Sequence, residues 1–123
     1  MIGPHEGTEL PLMLEGKKPL AAFSDIIPEN GKVAEEIIPE KLFKPHVVAE
    51  KINRHEHQFQ TSMGIMKIVC FTIPDENWRA KSYCFFREKI HKKEIEYTDT
   101  MDVIFGNLLG YSKVDIQGFV KQE

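Results

Sequence analysis

The sequence predicts an α+β fold with an antiparallel sheet of about four strands, helices on one face of the sheet and a helical pair at the C-terminal end. The sheet is predicted by the polar segment Ile52 to Gln60 and by the mostly apolar segment Ile65 to Ile73. The helical pair is predicted by the apolar residues between Met101 and Leu109, which recur at helical spacing. A chain of 123 residues has the size of one domain, so we expect a single globular domain over residues 1–123.

The first part of the chain predicts a short helix, a strand and further helical turns. Thr8 is placed to cap the short helix, and Gly16 is placed to end it. The run from Leu20 to Phe23 is apolar on both faces, which is typical of a covered strand. Between Val33 and Lys51 an apolar stripe is interrupted by Pro45, so we expect two short helical turns rather than one long helix.

The segment Ile52 to Gln60 is predicted to be a strand at the edge of the sheet. Side chains along a strand alternate between its two faces, so His55, His57 and Phe59 share one face. Charged and amide side chains occupy the other face. A strand this polar is typical of a sheet edge, where charge discourages pairing with other chains.

The segment from Met66 to Arg87 is predicted to be a β-hairpin that forms the core. Its second half, Trp78 to Arg87, also fits a helix, although the apolar arc of that helix would include Arg79. The strand fits better because the segment is rich in aromatic residues and because residues 74–77 have the composition of a hairpin loop. We therefore expect Trp78 to begin a strand and to pack inward.

The C-terminal helical pair has recognisable caps. Thr100 is placed to cap the first helix, and Gly110 is placed to end it. Ser112 is placed to cap the second helix, with Asp115 three residues later in a relation that resembles a capping box. The apolar contacts of the second helix are assigned to Val114, Ile116 and Phe119.

Composition excludes several classes of partner. The net charge of −3 and the presence of only three arginines make a nucleic-acid partner unexpected. No apolar run has the roughly 18 to 20 residues of a membrane span, and residues 1–16 lack a basic start followed by an apolar segment. We therefore expect a cytoplasmic protein with no membrane partner. Cys70 and Cys84 are expected to be reduced and buried, unless the hairpin register places them opposite one another.

The most specific local motif for chemistry is His55-Glu56-His57. Two imidazoles on one face of a strand can chelate a divalent metal, although a third ligand from elsewhere in the fold is required. A plain polar face at a sheet edge explains the same pattern. The metal interpretation leads to an alternative function, a small metal-dependent or hydrolytic enzyme that uses His55 and His57 with a carboxylate such as Glu56 or Glu76.

A second group, Glu76, Trp78 and Arg79, is predicted to lie at the hairpin tip. An exposed aromatic residue beside a charge pair can anchor a partner, and Glu56 is a further candidate for binding. No spacing of nucleophile and base points to catalysis, since Cys70 lies in an apolar run and no GxSxG motif is present. No catalytic residue and no cofactor are predicted.

Three motifs together give the chain a resemblance to known sequences. They are Gly16-Lys17-Lys18-Pro19-Leu20-Ala21-Ala22-Phe23, Glu76-Asn77-Trp78-Arg79 and Leu108-Leu109-Gly110-Tyr111. With this pattern the chain resembles a group of small bacterial single-domain proteins to which no activity is assigned. The resemblance indicates membership of this group and identifies no catalytic residue. Bacterial proteins of this size and charge include immunity proteins that neutralise toxins. The chain is analogous to them only in these general properties.

These observations predict a non-enzymatic cytoplasmic domain that binds another protein. An immunity protein that occludes a bacterial toxin domain is the specific form of this hypothesis. A compact acidic domain can form an interface of about 800 Å² per partner from a sheet edge and neighbouring loops. A homodimer that pairs its edge strands is a third hypothesis.

Overall fold

The computed structural model of the chain describes residues 7–121, with side chains through Gln117. The elements in chain order are α1 (Glu9–Leu14), β1 (Leu20–Ile26), α2 (Glu40–Val48), β2 (Asn53–Thr61), β3 (Gly64–Thr72), α3 (Asn77–His91), α4 (Asp99–Leu109) and α5 (Lys113–Lys121). The α+β class is confirmed. The sheet contains three strands, not about four, and every pairing in it is antiparallel.

Strand β3 lies at the centre of the sheet, and the order of strands is β1-β3-β2. The actual hairpin joins β2 to β3 through a tight turn at Ser62 and Met63, with Thr61 paired to Gly64. Five consecutive residues at the end of β3, from Ile68 to Thr72, are buried because both faces of this strand are covered. The prediction of β2 as a polar edge strand is confirmed.

The predicted hairpin from Met66 to Arg87 is wrong, because its second half is the helix α3. Both edges of β3 are already paired, one with β1 and the other with β2, so no edge remains for a further strand. As a helix the segment buries Ala80, Tyr83 and Cys84, whose spacing of three and four residues places them on one face. Trp78 is 53% exposed and therefore does not begin a core strand.

Helices cover both faces of the sheet, which corrects the expectation that they gather on one face. Alternate residues of β1 and β3 point to opposite sides, so Leu20 belongs to one core cluster and Ala21 to the other. The first cluster is completed by α3 and α4, and the second by α1 and α2. In the second cluster the rings of Phe43 and Phe71 stack with their centroids 4.0 Å apart.

Helix α2 contains Pro45 and is one helix rather than two short turns. The carboxylate of Glu35 accepts hydrogen bonds from the backbone N–H groups of Lys41 (3.0 Å) and Leu42 (3.2 Å), which satisfies free donors of the first turn. Pro45 removes one hydrogen bond, the one to the carbonyl of Lys41, and Lys41 is exposed to water that can replace it. The helix therefore continues through the proline.

The C-terminal pair is confirmed with small shifts. The N-cap position of helix α4 is Thr98 rather than Thr100, although its side chain makes no capping hydrogen bond, and the helix ends at Gly110 in the left-handed conformation, with φ of 80°. The hydroxyl of Ser112 accepts a hydrogen bond from the backbone N–H of Asp115 at 3.1 Å, as the capping prediction requires. Ile116 is buried, Val114 is exposed, and the side chain of Phe119 lies outside the described residues. Within the described range, every helix is too short or too polar to span a bilayer.

Candidate functional site

A groove of about 630 Å³ lies between the edge strand β2 and helix α3. We call it the β2–α3 groove. It forms because β2 has no neighbour on its outer side among residues 7–121, while α3 crosses the same face of the sheet as the side chains of His55 and His57. Its lining consists of His55, Glu56 and His57 from β2 and of Ala80, Lys81, Cys84, Phe85, Glu88 and Lys89 from α3.

His55 belongs to a chain of hydrogen bonds at one end of the groove. The buried hydroxyl of Thr72 donates to Asn77 Oδ1 at 2.8 Å and lies 2.9 Å from His55 Nε2. Since the single proton of that hydroxyl is used by Asn77, its oxygen accepts the N–H of His55. Burial lowers the pKa of His55, the nearby amide oxygen of Asn77 acts in the opposite direction, and the charge of Lys81 lowers it further. The surroundings of His55 therefore favour its neutral form.

His57 is held by a carboxylate from the facing helix. Its Nε2 lies 2.6 Å from Glu88 Oε1, and the other oxygen of Glu88 accepts a hydrogen bond from Lys92 Nζ at 2.5 Å. The hydrogen bond from Lys92, followed by that from His57, lowers the pKa of Glu88. The negative charge of Glu88 is thus compensated within the protein itself.

The predicted metal site at His55 and His57 gains no support from this geometry. The Nε2 atom of each ring already has a protein partner, Thr72 for His55 and Glu88 for His57. Coordination of a cation through either Nε2 would therefore cost one of those bonds, which leaves Nδ1 as the coordinating atom of each ring. Within the range 7–121, no group of three or more His, Cys, Asp or Glu side chains is arranged to hold a metal ion.

Two cysteines meet at the floor of the groove. Cys84 lines it and is 7% exposed, whereas Cys70 lies behind it and is completely buried. Their Sγ atoms are 3.9 Å apart, both thiols are free, and both side chains are buried as predicted. The sequence predicted that the two cysteines lie in neighbouring strands of one hairpin. The contact in fact joins the central strand to α3.

The charged binding candidate Glu56 lies in an ion-pair network on the face of β2 opposite that of His55 and His57. Arg54 Nη2 donates to Glu40 Oε2 at 2.7 Å and to Glu56 Oε1 at 2.6 Å. Lys67 lies 3.9 Å from each of these carboxylates. Hydrogen bonds from Arg54 lower the pKa of both Glu40 and Glu56. Glu56 thus has a structural partner in this arrangement.

The group Glu76, Trp78 and Arg79 lies at the start of α3 rather than at a hairpin tip. The guanidinium of Arg79 donates to Glu76 Oε2 at 2.7 Å and, through Nη1, to the backbone carbonyls of Asn107 (2.8 Å) and Leu108 (3.2 Å). It also lies 4.7 Å from the centre of the Trp78 ring. Arg79 is therefore a cap for the C-terminal end of α4, and Trp78 rests on it with its outer surface exposed.

The three motifs that carry the sequence resemblance meet at that same end of α4. Lys18 Nζ donates to the backbone carbonyl of Leu109 at 2.7 Å and lies 4.9 Å from the centre of the Tyr111 ring. Gly110 is so close to Pro19 that an added Cβ would lie 2.4 Å from Pro19 Cδ. Cations are favourable where a helix ends in free carbonyl groups. The three motifs therefore form one structural unit that holds the end of α4 against β1 and α3.

One buried acid was not singled out from the sequence. Asp102, in the first turns of α4, is 4% exposed, and its Oδ1 accepts a hydrogen bond from the hydroxyl of Tyr97. Its Oδ2 has no hydrogen-bond partner among the described residues. Helical spacing alone would place Asp102 next to the buried Met101 and Phe105, but an acid in the first turn of a helix is common and gave no signal.

Comparison with protein-family models, with curated proteins and with solved structures finds no match to this chain.

Proposed function

We propose that this protein is a domain that binds another protein, and that the outer face of α3 together with the β2–α3 groove forms the contact surface. The observation that supports this proposal is the exposure of two large aromatic residues on one helix. Trp78 is 53% exposed and Phe85 is 54% exposed. Scattered apolar residues are normal on protein surfaces, but aromatic residues grouped on one face are enriched in protein interfaces.

The two rings lie on the same side of α3. They are seven residues apart, which is almost two helical turns and about 10 Å along the axis. Each is accompanied by a cation: Arg79 lies 4.7 Å from the centre of the Trp78 ring, and Lys89 Nζ lies 5.5 Å from the centre of the Phe85 ring. Tryptophan and arginine are the residues that most often dominate binding energy in interfaces.

Charge in the groove favours a partner with an acidic contact surface. Glu88 is paired with Lys92, and Glu56 is paired with Arg54, so the two carboxylates of the groove are compensated. Lys81 is exposed and forms no ion pair with another residue of the described range. A partner that presents a carboxylate to Lys81 and apolar atoms to Phe85 would match this surface.

The test is affinity capture from the native host with two matched double variants. Trp78→Ala with Phe85→Ala removes the aromatic pair, whereas Leu42→Ala with Val48→Ala removes exposed apolar side chains from α2, on the opposite side of the sheet. We expect the wild type and the α2 variant to retain the same partner, and the α3 variant to lose at least about tenfold in affinity. The charge reversal Lys81→Glu is expected to weaken binding as well.

Equal retention by all variants, or recovery of the protein always alone, would contradict the proposal. Far-ultraviolet circular dichroism of each variant checks that the fold is intact, which is expected because the four apolar side chains removed are at least half exposed and Lys81 is exposed. A molecular mass in solution that doubles, and that returns to the single-chain value in the α3 variant, would identify a second copy as the occupant and would also contradict it.

The specific form of the proposal is an immunity protein that covers a toxin. It rests on the length of 123 residues and the net charge of −3, both of which suit such proteins. Coexpression with the product of the neighbouring gene tests this form, and formation of a stable complex that requires Trp78 and Phe85 is the expected result.

A further inference from the structure

We propose that Cys84 and Cys70 form a redox-active thiol pair: Cys84 reacts with a small-molecule disulfide that enters the β2–α3 groove, and Cys70 then closes an internal disulfide. Although the groove is also part of the proposed contact surface, this inference does not depend on the binding proposal, because it rests on the two thiols at the floor of the groove and not on the exposed rings of Trp78 and Phe85. It assigns a chemical reactivity to two residues for which the sequence predicted inert burial.

The geometry of the two sulfurs carries the proposal. The Sγ atoms are 3.9 Å apart and face each other from β3 and α3, two elements that pack directly. A disulfide requires about 2.05 Å between sulfurs, so the atoms need to approach by nearly 2 Å. Rotation of the two Cα–Cβ bonds can supply much of this distance, because each sulfur is the terminal atom of its side chain.

The two thiols differ in access, and this difference sets the order of reaction. Cys84 lines the groove, whereas Cys70 is completely buried behind it. Lys81 lies one helical turn before Cys84 and also lines the groove, as do His55 and His57. A cationic side chain in the lining of the groove attracts anionic thiol reagents such as glutathione.

The hydrogen bond between the thiols also favours Cys84 as the first sulfur to react. Donation from Cys70 lowers the pKa of Cys84, while burial raises it, and the same interaction raises the pKa of Cys70. When the pair loses its first proton, the thiolate is therefore favoured on Cys84, the sulfur that an external reagent can reach.

The reaction consists of two exchanges. In the first, the Cys84 thiolate attacks one sulfur of oxidised glutathione, a mixed disulfide forms, and one glutathione leaves as its thiolate. In the second, Cys70 loses its proton and attacks the Cys84 sulfur, so the internal disulfide forms and the second glutathione leaves. The protein dithiol loses two electrons and two protons, and one disulfide of glutathione becomes two thiols.

The test is incubation of the native chain with oxidised glutathione, followed by mass spectrometry under denaturing conditions. For the wild type we expect a decrease of about 2 Da, the mass of the two thiol hydrogens, with no glutathione attached. Cys70→Ala is expected to stop at the mixed disulfide and to retain one glutathione. Cys84→Ala is expected to remain unmodified, because Cys70 cannot be reached.

A second measurement keeps the test decisive even where a variant fails to fold. Brief alkylation of the native wild type with iodoacetamide, followed by peptide mapping, is expected to label Cys84 at least about tenfold faster than Cys70. Two free thiols in the native wild type after prolonged incubation, with rapid oxidation only in urea, would overturn the proposal. Faster labelling of Cys70, or a mixed disulfide on Cys70, would overturn the assigned order.

Discussion

The buried ammonium group of Lys18 makes stability depend on alkaline pH in a way that one substitution can isolate. Lys18 is 1% exposed, and burial lowers its pKa from 10.5 to about 8, although the charge of Glu9 acts in the opposite direction. The unfolded chain therefore binds more protons than the folded chain between about pH 8 and pH 10.5. Stability from this group rises with pH across that interval, because the cost of burying the charge disappears as the folded-state lysine becomes neutral.

The perturbation is Lys18→Met, which keeps an unbranched side chain of similar length and removes the titrating group. From the two pKa values, the wild type should gain about 2.5 kcal/mol relative to the variant between pH 7 and pH 10. At pH 7 the variant avoids the burial of a charge but leaves the carbonyl of Leu109 without its donor, and these effects oppose each other. The change with pH is therefore the quantity to measure.

The assay is urea unfolding of both proteins at several values of pH from 7 to 10. Lys17→Met is the matched control, because Lys17 is the neighbouring lysine and its side chain is 69% exposed. We expect the free energy of unfolding of the control to run parallel to that of the wild type. If Lys18→Met also runs parallel to the wild type over this range, the assignment of Lys18 as a buried, titrating cap of α4 is refuted.

Two further predictions follow from the packing and the ion pairs. Gly110→Ala is expected to lower the free energy of unfolding by about 2 to 4 kcal/mol, because φ is +80° and the new Cβ would lie 2.4 Å from Pro19 Cδ. Gly31→Ala, with φ of +78° and nothing within 4 Å, is expected to cost only about 1 kcal/mol, and equal losses in thermal unfolding would contradict the role of Pro19. Arg54→Met is expected to cost about 1 kcal/mol at pH 7, a value reduced because these side chains are about one-third exposed. Since Arg54 lowers the pKa of Glu40 and Glu56, its contribution is present above their unfolded-state pKa of about 4.5 and is lost as the pH falls through the lowered folded-state pKa values, so the difference from wild type should shrink as the pH is lowered below about 4.5. A difference that stays constant in acid-unfolding curves would show that the network is not its source.

The elements that the sequence predicted correctly are those with a local signal. The edge strand β2 was predictable because its polar residues separate onto two faces, and the end of α4 because Gly110 is followed by the capping serine Ser112. Helix α3 was not predictable from its own residues, since its aromatic composition favours a strand. The decision depended on whether β3 had a free edge, and that is a property of the whole sheet.

In the candidate site, too, the sequence predicted the local arrangement but not the contacts between distant residues. The sequence placed His55 and His57 on one face of β2, and the structure confirms that both line one groove. Their partners, Thr72 for His55 and Glu88 for His57, come from β3 and from the facing helix, so the occupation of both Nε2 atoms was not visible along the chain. Trp78 was expected in the core and is exposed, because the helix turns it outward at the point where Arg79 reaches α4.

By itself the sequence determined the α+β class, the polar edge strand, the apolar central strand and the helical C-terminal pair, because periodicity and capping depend on residues close together in the chain. Only the tertiary structure decided that the sheet has three strands with helices on both faces, that Cys70 meets Cys84, and that Lys18 and Arg79 hold the same helix end. These features join residues far apart in the chain, and their free energies depend on burial and on the partner that the fold supplies.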